Sequence, residues 1–187
     1  MYGLSSAQAG TVLGILLVYM SLQSQLRGTD YLTGLANRWQ LDAVVQRVVA
    51  NPDARHPTAL LMIDVDNLKV INDTWGHVMG DRAIEQCAAI LRKCFHYDDT
   101  VARYAGDEFM VVLRLDHADA IQSVLARLAD TAERMATPEG APFRVTISVG
   151  YALFPSAGIR TVSDFYRAAD NSMYEAKRRA HATSQHS

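Results

Sequence analysis

Two apolar runs in this sequence end in carboxylates, and together they limit the folds open to the chain. The first is Leu60-Leu61-Met62-Ile63-Asp64-Val65-Asp66. The second surrounds Arg103-Tyr104-Ala105-Gly106-Asp107-Glu108-Phe109, with Thr100 to Tyr104 before the glycine and Phe109 to Leu115 after it. β-Branched and aromatic residues on both sides of a tight, glycine-containing turn predict a hairpin whose tip carries acid. Ala59 to Ile63 is a short continuous apolar run, as expected of a strand buried on both faces. Neighbouring carboxylates at a turn are most simply a solvated turn. Two apolar strands that both end in acid are also what a metal–phosphate site at a sheet edge needs, and a hairpin can bring Asp107 beside Asp64.

The rest of the pattern is helical, with one more strand. Leu41, Val44, Val45 and Val48 fall at helical spacing up to Asn51-Pro52, and residues 67–74 read as a short helix. Asp81 precedes a helix that buries Ile84, Cys87, Ala88, Leu91 and Phe95. A further helix carries Ile121, Val124, Leu125, Leu128, Ala132 and Met135, and a last one follows Thr161. Phe143, Val145, Ile147, Val149 and Tyr151 alternate with smaller or polar residues, which predicts a strand. The expected class is α/β, an α+β sandwich with a mixed central sheet covered by helices, since each helix has one apolar stripe to bury.

A chain of 187 residues has room for one domain and a short extension. Its 18 Lys plus Arg against 20 Asp plus Glu argue against a nucleic-acid partner. Cys87 and Cys94 lie about 10 Å apart along one predicted helix, beyond disulfide reach, and read as core thiols in a reducing compartment. No charged side chain occurs before Arg27, and Gly10 to Leu22 is strongly apolar. That segment is expected to be a short apolar helix that crosses a membrane, or one that packs against the domain or a partner chain. If it spans, Arg27 and Arg38 place its C-terminal side in the cytoplasm.

Several separated motifs, in order and at compatible spacing, resemble the GGDEF domain of bacterial diguanylate cyclases. They are Asp30-Tyr31-Leu32-Thr33-Gly34-Leu35-Ala36-Asn37-Arg38, Asp64 to Asp73, Gly76-His77-Val78-Met79-Gly80-Asp81 and Arg103 to Phe109. Ser148-Val149-Gly150, Ala169-Asp170 and Tyr174-Glu175-Ala176-Lys177 complete the match, which runs from Asp30 to Lys177. The resemblance implies a nucleotidyl cyclase or polymerase-palm fold and a Mg²⁺-dependent condensation of two GTP, one on each of two facing subunits, into cyclic di-GMP and two pyrophosphates. Mn²⁺ is an alternative cation.

The resemblance also implies roles. Asp64, the Val65 carbonyl and Asp107 would bind metal, and Glu108 would be a further ligand or the base that helps activate the attacking hydroxyl. Asn72 and Asp81 match guanine-reading positions, as suits an amide and a carboxylate. His77, Ala105 and Gly106 lie in the nucleotide-binding turns, and Lys69 and Lys177 match phosphate contacts. Asp66 would face the same way as Asp64 if the strand continued, or cap the next helix. Asp81 could likewise cap a helix starting at Arg82.

The match departs at three places. Ala105 replaces the first signature glycine, which costs roughly 1–2 kcal/mol if that residue is left-handed and nothing if it only needs to be small. His96 stands where the family's Arg-x-x-Asp inhibition site has its arginine, with Asp99 kept, so weak or absent product inhibition is expected. Ala180-His181-Ala182 replaces a Gly-Arg-Asn tail, which weakens a phosphate contact. The expected organisation is an apolar segment over residues 1–28, a GGDEF domain over 29–181 and a tail over 182–187. The expected location is the bacterial inner membrane with a cytoplasmic catalytic domain, or otherwise the cytoplasm. The alternatives are a catalytically silent GTP-binding module that signals through protein contacts, a cyclic di-GMP receptor and a palm-like polymerase.

Overall fold

The computed structural model describes residues 28–184, and their side chains as far as Arg178. A two-residue strand β1 (Ala36–Asn37) leads into α1 (Arg38–Ala50), whose first turn is capped by the Asn37 side chain accepting from Gln40 N. Next come β2 (Thr58–Val65), α2 (Leu68–Trp75) and α3 (His77–Cys94). The hairpin is β3 (Thr100–Ala105) and β4 (Glu108–Arg114). After it come α4 (Ala120–Arg134), β5 (Ile147–Phe154) and α5 (Val162–Ser184).

The strands form one five-stranded sheet in the order β1-β3-β4-β2-β5. β1 runs parallel to β3 and the other pairings are antiparallel, so the expected mixed sheet with helices on it is present. β2 lies between β4 and β5 and is apolar on both faces. Its Ala59, Leu61, Ile63 and Val65 pack with residues of α2, α3 and α4, while Leu60 and Met62 pack with Leu41 and Val45 of α1 and Phe165, Ala169 and Met173 of α5. Strand alternation puts Asp64 on the α1/α5 side, in line with Leu60 and Met62.

Four expectations change. α3 begins at His77 rather than after Asp81, so Asp81 lies in its second turn and does not cap it. Asn67 is a left-handed residue before α2, with φ 56°, rather than part of that helix. β5 begins at Ile147; Phe143 and Val145 are buried in the core ahead of the strand, and Val145 N donates to Ala136 O outside the ladder. Asp66 caps nothing: its Oδ1 accepts from Ser148 Oγ at 2.6 Å. Cys87 and Cys94 are free and buried, as expected. The apolar segment lies outside the described residues, and among those described no helix is long and apolar enough to cross a membrane.

α5 is laid on β5 at unusually short range. A Cβ on Gly150 would come 2.0 Å from Met173 N and 2.4 Å from its Cα, so only glycine fits while the helix stays where it is. Thr161 and Asp164 start the helix with a reciprocal cap, Thr161 Oγ1 accepting from Asp164 N at 3.1 Å and Asp164 Oδ2 accepting from Thr161 N at 3.0 Å. Gly150→Ala must push backbone against backbone, and should destabilise the fold by about 1–3 kcal/mol with an unchanged urea m-value. Equilibrium urea denaturation measures this.

Candidate active site

The site is assembled by backbone register. Asp64, the last residue but one of β2, is paired with Glu108 of β4 on one side and Ser148 of β5 on the other. Val65 N donates to Asp107 O at 3.1 Å, which ties the acidic turn to the end of β2. Asp64 and Glu108 therefore share one sheet edge and one face, with Asp107 next to both. Burial raises the Asp64 pKa, and the charges of Asp107 and Asp66 add to it, against the pull of Lys177. Glu108 is raised in the same way, by burial first and then by Asp107, Asp64 and Asp170.

Lys177 meets this charge directly: its Nζ is 2.8 Å from Asp64 Oδ1, whose side chain is 16% exposed. The close approach at Gly150 explains the reach. Lys177 lies one helical turn beyond Met173, and Asp64 lies two residues beyond Met62, the strand partner of Gly150.

The turn itself settles the question of Ala105. Asn67 is the one non-glycine residue with positive φ among those described, so Ala105 carries no left-handed strain. The left-handed position is Gly106, at φ 45°. Arg103 braces the turn, its Nε donating to Gly106 O at 2.9 Å and its Nη1 approaching Asp30 Oδ1 at 3.4 Å. Asp30 Oδ1 in turn accepts from Thr33 N at 2.8 Å and Thr33 Oγ1 at 2.7 Å. Arg103 and Asp30 belong to the matching motifs, yet sequence reasoning gave neither a role; the pairing across 73 positions was the missing signal.

Asn72 and Asp81 are brought together where α2 meets α3 through Gly76. A Cβ on Gly80 would fall 1.9 Å from Asn72 Oδ1, so the amide packs against the helix one residue before Asp81. Asp81, His77 and Lys69 are exposed, with His77 the first residue of α3 and Lys69 in the first turn of α2. His96 is exposed as well, and Asp99 Oδ2 accepts from its backbone N at 2.9 Å. His181 lies beyond the described side chains.

A cation is the natural ligand of this edge by donor chemistry. Hard carboxylate oxygens crowd together there, and an ammonium already pairs with one of them. Among the described residues, no three His, Cys, Asp or Glu side chains converge into a ready-made metal centre.

A family profile described as "Diguanylate cyclase, GGDEF domain" matches residues 28–183. The probable diguanylate cyclase DgcT of Escherichia coli K12 is 35% identical over 153 residues, covering 79% of this chain and 33% of DgcT. The cyclic di-GMP phosphodiesterase PdeR of the same organism is 32% identical over 159 residues, covering 81% of this chain and 23% of PdeR. The chain thus spans about a third of the length of DgcT and about a quarter of PdeR. The crystal structure of the coiled coil and GGDEF domain of DgcB from Caulobacter crescentus in complex with c-di-GMP superposes with a TM-score of 0.71 at 26% identity, covering 92% of each chain.

Restoring the missing signature glycine should bring no relief. Ala105→Gly is expected to leave stability unchanged or lower it by up to about 1 kcal/mol, while Gly106→Ala costs about 1–2 kcal/mol. Urea denaturation of the two variants separates these outcomes.

Proposed function

The chain belongs to the GGDEF domain family of diguanylate cyclases, and from that premise we propose that it condenses two GTP molecules into cyclic di-GMP with release of two pyrophosphates. The observation that carries the proposal is the register that pairs Asp64 with Glu108 and ties Asp107 to Val65. Asp64, the Val65 carbonyl and Asp107 would hold Mg²⁺, or Mn²⁺, with Glu108 beside them. When bound, the cation supplies positive charge against the phosphates.

The chain's own groups do the rest. Asn72 and Asp81 bind the guanine edge, with His77 alongside. Lys69 and Lys177 bind phosphate, Lys177 leaving Asp64 to do so, and the backbone at Ala105 and Gly106 lies against the nucleotide. Each chain holds one GTP, so two chains must face each other for the 3′-hydroxyl of one nucleotide to reach the α-phosphate of the other. The new bond joins that oxygen to the α-phosphorus, the bond to the β-phosphate breaks, and pyrophosphate leaves. Glu108 accepts the hydroxyl proton, a role supported by its place beside Asp64 and Asp107 at the end of the ladder.

The domain comprises residues 29–181, between the segment 1–28 and the tail 182–187. The uncharged N-terminal segment would tether it to the bacterial inner membrane on the cytoplasmic side. Product inhibition through the Arg-x-x-Asp position would be weak, because His96 replaces the guanidinium and Asp99 is engaged by the backbone of its own turn. A second reading, a silent module that binds GTP and signals through protein contacts, draws on the match to PdeR, a relative named for the opposing activity.

The test is the full chain with GTP and Mg²⁺, its product read by mass spectrometry. Cyclic di-GMP should form, and Asp107→Asn and Glu108→Gln should each lower the rate by about 10²-fold or more. Added product should leave the rate nearly unchanged. GTP binding with no product in the parent chain would favour the silent module. Gly80→Ala probes the guanine contacts separately: displacing the Asn72 amide should raise KM for GTP by about tenfold, roughly one hydrogen bond, with little change in stability. Steady-state kinetics beside urea denaturation checks both halves of that expectation.

A further inference from the structure

We propose that Tyr166 is a positioning residue for the signature turn, with Asp42 fixing its hydroxyl and Tyr104 lying against its ring. The weak point of the hairpin defines the need. Arg103 pairs with Phe109 and Ala105 with Glu108, so Tyr104 is left between them as the extra residue of a bulge. With no cross-strand partner in the ladder, Tyr104 is held by what its side chain touches. That side chain packs with the α1/α5 core rather than with Arg103's partners at the turn.

Two contacts hold it there. Arg38 Cζ lies 4.5 Å above the Tyr104 ring, and the Tyr166 ring lies 5.8 Å from it, tilted by 50°. Both partners converge on Asp42: Tyr166 Oη donates to Oδ1 at 2.5 Å, and Arg38 Nε is 3.6 Å from Oδ2. Burial and the Asp42 carboxylate both raise the Tyr166 pKa, which keeps its hydroxyl a donor. Tyr104 directly precedes Ala105, the ladder partner of Glu108, so this group borders the acidic edge. Tyr166 is carried by α5, the helix that brings Lys177 to Asp64. One hydroxyl–carboxylate bond between α1 and α5 thus fixes where the turn begins.

The activity arm of the test rests on the proposed cyclase function, and a second arm does not. In the full chain, Tyr166→Phe keeps the ring and removes the donor; it should lower kcat about tenfold and leave KM for GTP within about twofold. Asp42→Ala should do the same, the double variant should be no worse than either single by more than about twofold, and Asp42→Asn, whose amide oxygen still accepts, should restore kcat to within about threefold. In the protein without nucleotide, amide hydrogen exchange at residues 104–108 and at Val65, the donor to Asp107, should rise about tenfold in Tyr166→Phe. A wild-type kcat in Tyr166→Phe, or unchanged exchange at those amides, overturns the proposal. If the parent chain makes no cyclic di-GMP, the function reading fails and the exchange measurement alone decides the positioning role.

Discussion

The register of β2 against β4 makes two carboxylates, Asp64 and Glu108, neighbours at a half-buried sheet edge, and much of the structure answers that constraint. Both are partly desolvated and lie beside other carboxylates, Asp107 above all, so each is less readily ionised than in water. Lys177 offsets part of this at 2.8 Å from Asp64. It can do so because α5 lies against the backbone of β5, an approach that a single Cβ at position 150 would prevent. A glycine in a strand is weak on intrinsic propensity. Here it is required by the close approach of Met173, one helical turn before the lysine that meets Asp64.

The acidic turn is held from several directions, which separates it from an ordinary solvated turn. Main-chain bonding ties Asp107 O to Val65 N, and Arg103 ties Gly106 O toward Asp30 at the start of the domain. On the other face of the sheet, Tyr104 lies among Arg38 and Tyr166. Each restraint acts on a different residue of the turn. Their combined effect is to fix the positions of Asp107 and Glu108 relative to Asp64, and fixed position is what gives charged groups catalytic value.

What could be read in the sequence followed from short-range pattern. Strand alternation and the glycine turn placed β3 and β4 to within about a residue of their observed ends, and helical spacing identified the buried faces of α1, α3 and α4. His77 was expected in a nucleotide-binding turn with a helix after Asp81, but the helix already starts at His77, and Gly80 within it is a packing position for the Asn72 amide rather than a breaker. Asp66 resembled a cap because its partner Ser148 is supplied by a strand 82 residues later. The contact of Tyr166 with Asp42 spans 124 positions and leaves no local trace. In the site, the residues themselves were legible through the motifs, whereas the supports that fix them were not.

α5 shows why those supports are hard to see. Phe165, Ala169 and Met173 form an apolar stripe that reads only as core, and they are buried against the sheet as such a stripe should be. Tyr166 and Lys177 lie toward opposite ends of the same helix and are polar. The buried stripe fixes the rotation and axial position of the helix, and Gly150 fixes its distance from the sheet. Once those are set, the ends are placed: Tyr166 meets Asp42 of α1, and Lys177 reaches Asp64 of β2. Packing in the middle of the helix therefore determines charge placement at one end and the support of the signature turn at the other. A change in the stripe would be felt at the acidic edge without touching any carboxylate there, because the helix carries Lys177 and Tyr166 to it.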